Sequence, residues 1–152
     1  MLGSEDTSTD NMETIQQAII VNSKEQVLLL KCGKAFGKEL ENKWEFPNSF
    51  LEPETSPEKD IINEVKNLTG LDIDIIYQFF SSIIKDGDAE LFNVAYLCRL
   101  KDMKAKIKLH EDYAEFKWVK PVEIKKMKVT TPQILEMAGK AMLVLGGGGS
   151  AE

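Results

Sequence analysis

The stretch from Trp44 to Leu71 constrains the fold more than any other part of the chain, because it joins a short strand, a loop and one amphipathic helix. Thr55 or Ser56 can cap this helix, and Pro57 suits its first turn. A spacing of about 100° per residue gives the helix one apolar stripe and one polar flank. The stripe comprises Ile61, Val65 and Leu68, and the flank comprises Asp60, Glu64 and Asn67. We therefore expect a helix packed on a sheet, with any site chemistry on its flank.

The same stretch resembles the signature of the Nudix (MutT-like) superfamily, G-x5-E-x7-R-E-U-x-E-E-x-G-U with U apolar, usually preceded by W-x-F/L-P. WEFP at 44–47 and LTGL at 68–71 align with this frame without a gap. Most of the chemical residues inside the frame are replaced, so the box is degenerate. Its first glycine falls on Ser49, its isolated glutamate on Thr55, its arginine on Asn63 and its adjacent glutamate pair on Asn67 and Leu68, whereas Glu64 keeps one glutamate.

The resemblance implies an α/β fold, a Nudix-type α/β/α sandwich with a mixed β-sheet between helices. Two more segments support it. Residues 14–22 and 26–32 are apolar runs joined by a short polar turn, which is typical of a hairpin. The segment 109–119, LHEDYAEFKWV, resembles the family's acidic loop and aromatic-x-Trp-Val strand, and it precedes a helix that we predict from Thr131 or Pro132 to Leu143.

The replaced glutamates bear on activity. Carboxylates about 4 Å apart repel each other by roughly 4 kcal/mol at an effective dielectric near 20, so a cluster of them needs a cation. Mg²⁺ takes carboxylate oxygens together with substrate phosphates. Asn67 is a poor substitute ligand and Leu68 is none. We therefore expect a catalytically impaired module that binds a nucleotide or a protein.

Two alternatives stay open. One is an active Mg-dependent hydrolase of a nucleoside diphosphate linked to another group, with a rearranged metal site. The other is a scaffold subunit of a larger assembly. A nucleoside diphosphate derivative, a protein partner and a homodimer are each compatible with these hypotheses, and Mg²⁺ is expected only if the protein is active.

Glu64 is the candidate catalytic residue, although a solvated helix glutamate beside Lys59 or Lys66 is the simpler interpretation. The candidate metal ligands are carboxylates of the helix and of the acidic loop, unless there is no metal site: Glu64, Asp60, Glu111, Asp112 and Glu115. The candidate substrate contacts are Lys31, Lys34 and Phe46, although loop lysines are usually just solvated. His110, the single histidine, lies beside two acids and has no nucleophile at a recognisable spacing.

Composition sets the remaining limits. The chain has 152 residues, enough for one domain, and a formal net charge of -6, which excludes a global electrostatic footprint for nucleic acid or anionic membrane. Cys32 and Cys98 lie in apolar runs without a C-x-x-C partner, so we interpret them as core thiols and expect a cytoplasmic protein. We predict a disordered lead at 1–13, the domain at 14–143 and a flexible Gly/Ser tail at 144–152.

Overall fold

A computed structural model describes residues 12–150 of the chain. These residues form seven strands and two α-helices. In chain order they are β1 (Glu13–Val21), β2 (Val27–Cys32), β3 (Trp44–Glu45), β4 (Asn48–Phe50), α1 (Pro57–Thr69), β5 (Ile73–Asp86), β6 (Ala89–Leu100), β7 (Tyr113–Val119) and α2 (Gln133–Ser150). Short 3-10 helices at Lys34–Phe36 and Pro121–Lys126 follow β2 and β7. The predicted lead lies outside the described residues except for its last two positions, and β1 begins at the second of these.

The strands form one mixed sheet with the order β3-β2-β1-β6-β5, in which β4 also pairs with β1 and β7 also pairs with β2. β1 and β6 are parallel along their whole shared length, from Glu13↔Leu91 to Val21↔Arg99. The other pairs are antiparallel. The predicted hairpin of β1 and β2 is confirmed at Val21↔Val27. Towards its start β1 leaves β2 and pairs with β4 instead.

Both faces of the sheet are covered, which explains why the central strands are almost continuously apolar. On one face, Ala18 and Ile20 of β1 pack in a core that includes the α1 stripe of Ile61, Val65 and Leu68. On the other face, Ile19 packs in a second core with residues of α2, namely Ile134, Met137, Ala138 and Ala141. The predicted α/β/α layering is therefore confirmed.

Helix α1 begins and ends where its local chemistry predicts. Ser56 is the N-cap residue, with extended φ of -70° and ψ of 122°, and Pro57 opens the first turn. The Ser56 side chain makes no capping hydrogen bond, so the helix begins at the predicted place without the predicted side-chain cap. Thr55 instead donates its hydroxyl to the Glu52 carbonyl at 2.7 Å. Gly70 ends the helix with a φ of 75°, and its N–H donates to the Lys66 carbonyl at 2.8 Å. This left-handed conformation favours glycine because a side chain would be strained there.

Helix α2 is longer than predicted. It runs to Ser150 rather than to Leu143, because Val144 still packs against the second core and the helical backbone continues into the glycine run. The predicted tail therefore begins inside a helix, and its flexibility stays a prediction. The described residues contain no helix with the length and hydropathy needed to cross a bilayer.

Candidate functional site

The flank of α1 shows what stands at the degenerate box positions. Glu64 is partly exposed, and the Asn67 side-chain amide donates to its Oε1 at 3.5 Å. Leu68 is 7% exposed and belongs to the core. Among the side chains that the structure describes, no three of His, Cys, Asp or Glu lie close enough together to hold a metal ion. One carboxylate beside an amide and a buried aliphatic side chain does not fit Mg²⁺, which prefers several oxygen ligands.

Asp60, the second predicted ligand on this flank, makes contacts with the sheet. Its Oδ2 accepts a hydrogen bond from Ser49 Oγ at 2.9 Å and another from Gln16 Nε2 at 3.2 Å. The Tyr96 hydroxyl donates to Gln16 Oε1 at 2.9 Å. Gln16 is only 1% exposed, so these bonds satisfy polar atoms that water does not reach. Asp60 thus ties the first turn of α1 to β1 and β4 through Ser49, which occupies the position of the box's first glycine.

The three acids in the segment before and within β7 lie in different local environments. Glu111 and Glu115 are exposed, and Glu115 lies opposite Lys31 in the pairing of β2 with β7. Asp112 donates its backbone N–H to His110 Nδ1 at 3.1 Å and accepts the Gly33 N–H on its carbonyl at 3.0 Å. Their predicted role in a rearranged metal site stays a prediction.

The three predicted substrate contacts differ in exposure and in what they pack against. Phe46 is fully buried in the second core, so it packs in the interior and does not offer a surface to a ligand. The alternation of aromatic and acidic residues at 44–46 is typical of a half-buried strand, whereas both faces of this sheet are covered. Lys31 lies over the Trp44 ring with its Nζ 5.8 Å from the ring centroid. Lys34 is exposed on the first 3-10 helix.

A cleft of about 480 Å³ opens at the end of the sheet where β1, β4 and the β5–β6 hairpin meet the segment before α2. Its apolar walls comprise Ile15, Phe36, Leu40, Phe50, Ile84, Leu91 and Ile134. Its polar and charged groups comprise Gln17, Glu39, Lys43, Glu45, Asn48, Lys85, Thr130 and Thr131. No residue of α1 is part of this lining. Small-molecule sites typically combine such a volume with apolar walls and a few polar groups.

Glu45 is the more buried of the two carboxylates that line the cleft, the other being Glu39, and sequence reasoning missed it. The Tyr113 hydroxyl donates to its Oε2 at 2.6 Å. Burial raises the pKa of Glu45, and hydrogen bonds from Tyr113, Asn48, Thr130 and Cys32 lower it in part. Burial, reinforced by Glu45, also raises the pKa of Tyr113, which therefore stays protonated and donates. The one sequence signal was the position of Glu45 between two anchoring aromatic residues.

The orientation of the Gln17 amide is also determined by its partners. Gln17 is 6% exposed, and its Nε2 donates to Asn93 Oδ1 at 3.0 Å. Asn93 in turn donates its own Nδ2 to Ser82 Oγ at 3.3 Å and to Met137 Sδ at 3.6 Å. One N–H of the Gln17 amide is engaged in this chain, which leaves its second N–H and its carbonyl oxygen for other partners.

The thiols are built into the cores. Cys32 and Cys98 are both buried, as predicted. Burial raises the pKa of each to about 12, and the Glu45 carboxylate adds to the effect at Cys32. Both therefore remain neutral and poorly nucleophilic at ordinary pH.

No protein-family model matches the chain, and no curated protein matches it either. Solved structures do resemble it. The solution structure of the E. coli ORF135 protein matches with a TM-score of 0.74 at 17% identity, over 88% of this chain and 91% of that one. A C. elegans Ap4A hydrolase in a binary complex matches with a TM-score of 0.73 at 14% identity, over 90% and 99%.

The NUDIX domain of Shewanella oneidensis NrtR, complexed with ADP ribose, matches with a TM-score of 0.70 at 14% identity, over 88% of each chain. At such identities the likeness concerns the fold and leaves the activity open. The mixed sheet, the two covering helices and these matches together show that the chain has the Nudix fold.

Proposed function

We propose that the protein is a catalytically impaired Nudix-fold module that binds a nucleotide-type ligand in the cleft. The observation that carries this proposal is the separation of two features. The box helix offers Glu64 beside Asn67 and a buried Leu68, whereas the cleft combines apolar walls with Gln17, Glu45 and other polar groups.

The reason for impairment is electrostatic. Hydrolysis of a pyrophosphate by a metal-dependent enzyme requires an ion that orients water and offsets the charge on the leaving phosphate. A single glutamate with an amide neighbour does not supply the ligands that hold such an ion. Binding requires only the cleft, whose lining does not use α1.

Binding and turnover are tested separately. Calorimetry and thermal shift with ADP-ribose and with nucleoside triphosphates, each with and without Mg²⁺ or Mn²⁺, measure binding. A phosphate-release assay under the same conditions measures turnover. We expect binding without turnover. Turnover that disappears in Glu64→Gln would refute the impairment and support the active hydrolase, and the absence of any binding would refute the ligand site.

The cleft has a matched pair of probes. Phe50 lines the cleft and is 52% exposed, whereas Phe116 on β7 is 40% exposed and does not line it. We expect Phe50→Ala to weaken ligand binding at least fivefold and Phe116→Ala to leave it unchanged. Equal effects of the two substitutions would place the ligand elsewhere.

A further inference from the structure

We propose that the cleft recognises the uncharged nucleobase and ribose of its ligand and leaves the phosphates in solvent, so that a free nucleoside binds as tightly as its triphosphate. This inference rests on the proposed function and specifies which part of a nucleotide the site holds.

Two side-chain amides in the cleft lining have hydrogen-bond acceptors available for a ligand. The Gln17 nitrogen is held by Asn93, and the Asn48 nitrogen donates to the Phe46 carbonyl at 2.7 Å and also contacts Glu45. Both side chains therefore have an acceptor oxygen left for a ligand, and Gln17 also keeps one N–H. A nucleobase supplies N–H donors to such acceptors, whereas a phosphate group is an anionic acceptor and does not.

The cleft lining carries no net formal charge. The formal charges in the lining cancel, because Lys43 and Lys85 are balanced by Glu39 and Glu45. Lys85 is exposed and lies 4.0 Å from Glu90, so part of its charge is already offset. A phosphate site typically gathers several cationic side chains or the N–H groups of a helix N-terminus. The cleft shows no excess of positive charge.

The cleft also lacks the α1 carboxylates that would hold a cation beside a phosphate chain. In metal-assisted sites, Mg²⁺ bridges protein carboxylates and substrate phosphates. The carboxylate at the box, Glu64, is absent from the cleft lining, and Asp60 is bound to Ser49 and Gln16. Phosphates in this cleft would have neither a metal ion nor a surplus of lysines to offset them.

The test compares adenosine, guanosine, cytidine and uridine with their 5′-triphosphates by calorimetry, at about 0.15 M salt to screen long-range repulsion. We expect at least one nucleoside to bind with a Kd within threefold of that of its triphosphate, with or without Mg²⁺. In the double variant K43Q/K85Q, the ratio of the Kd of the triphosphate to the Kd of the nucleoside should stay within threefold of its value in the unaltered protein, because the phosphates do not rely on the two lysines of the lining.

A triphosphate that binds more than threefold tighter than its nucleoside, or binding that Mg²⁺ strengthens more than threefold, would overturn this inference and leave the proposed function standing. A rise of more than threefold in the ratio of the triphosphate Kd to the nucleoside Kd in K43Q/K85Q, in a variant that thermal unfolding shows to be folded, would also overturn it. If neither nucleosides nor triphosphates bind, the proposed function itself fails.

Discussion

The hydrogen bonds at Asp60 yield a quantitative prediction about stability. Asp60→Ala removes the oxygen that accepts from Ser49 at 2.9 Å and from Gln16 at 3.2 Å. A hydrogen bond to a charged group contributes roughly 1.5–3 kcal/mol. The two bonds share one oxygen, and Gln16 keeps Ser49 as a distant partner at 3.5 Å. We therefore expect a loss of about 2–4 kcal/mol in the free energy of unfolding, rather than the full sum.

The measurement is urea unfolding, in which a change of midpoint at constant slope reports a change of stability. Glu58→Ala is the matched control, because Glu58 is an exposed acid in the same first turn. It removes the same favourable interaction with the helix dipole, which amounts to about 0.3–1 kcal/mol. Asp60→Asn keeps a side-chain oxygen as acceptor and should fall between these two variants.

A double-mutant cycle isolates the bond between the two side chains. Ser49→Ala and Asp60→Ala should couple by about 1 kcal/mol or more, because each removes one partner of the same hydrogen bond. If Asp60→Ala costs no more than Glu58→Ala, or if the cycle shows no coupling, then Asp60 does not anchor α1 to the sheet and the reasoning about this contact is refuted.

Three further predictions concern the cleft and the ends of α1. Glu45 has a folded-state pKa above its ordinary value of 4.5. Its contribution to the free energy of unfolding is therefore full below pH 4.5 and is lost as the pH rises through the folded-state pKa. Glu45→Gln should flatten this fall, which is measured as the urea midpoint from pH 4 upward. Leu68→Glu should lower the free energy of unfolding by at least about 3 kcal/mol because it buries an unpaired charge. Asn67→Glu, at the neighbouring exposed position, should lower it by about 1 kcal/mol or less. Equal urea midpoints of the two variants would contradict the core position of residue 68. Gly70→Ala should lower the free energy of unfolding by about 1–2 kcal/mol because residue 70 has a left-handed φ. It should cost more than Gly87→Ala, since the added Cβ at residue 70 would lie 3.3 Å from Lys108 Cβ, whereas at residue 87 it would meet nothing within 4 Å. Thermal unfolding of the two variants checks this order.

The sequence predicts those parts of the fold whose causes are local. The stripe of Ile61, Val65 and Leu68 follows from helical periodicity, and the end of α1 follows from the need for glycine at residue 70. The layered sheet follows from the resemblance to the Nudix box. The predicted end of α2 at Leu143 was wrong, because glycine content alone does not decide where a helix stops when its preceding turn still packs on the core.

The candidate site is harder to predict because its contacts join distant segments. Helical spacing alone pairs Asp60 with Glu64, but the carboxylate of Asp60 is bound by Ser49 and Gln16, which are 11 and 44 residues away in the chain. The same holds for Gln17, whose orientation depends on Asn93, 76 residues away. Spacing along one element carries no information about such partners, so the cleft was not predicted from the sequence.

Two of the replacements at the box, Ser49 and Leu68, have the same structural effect. A serine at the first glycine position supplies a hydroxyl, and Asp60 accepts from it; a leucine at the second position of the glutamate pair extends the apolar stripe into the core. These two replacements add contacts between α1 and the sheet, and Leu68 also stands where a carboxylate ligand would be required. Since no residue of α1 lines the cleft, substitutions such as Asp60→Asn should lower stability while the remaining folded protein keeps its ligand affinity. A variant that stays folded but loses binding would show that α1 and the cleft are one site.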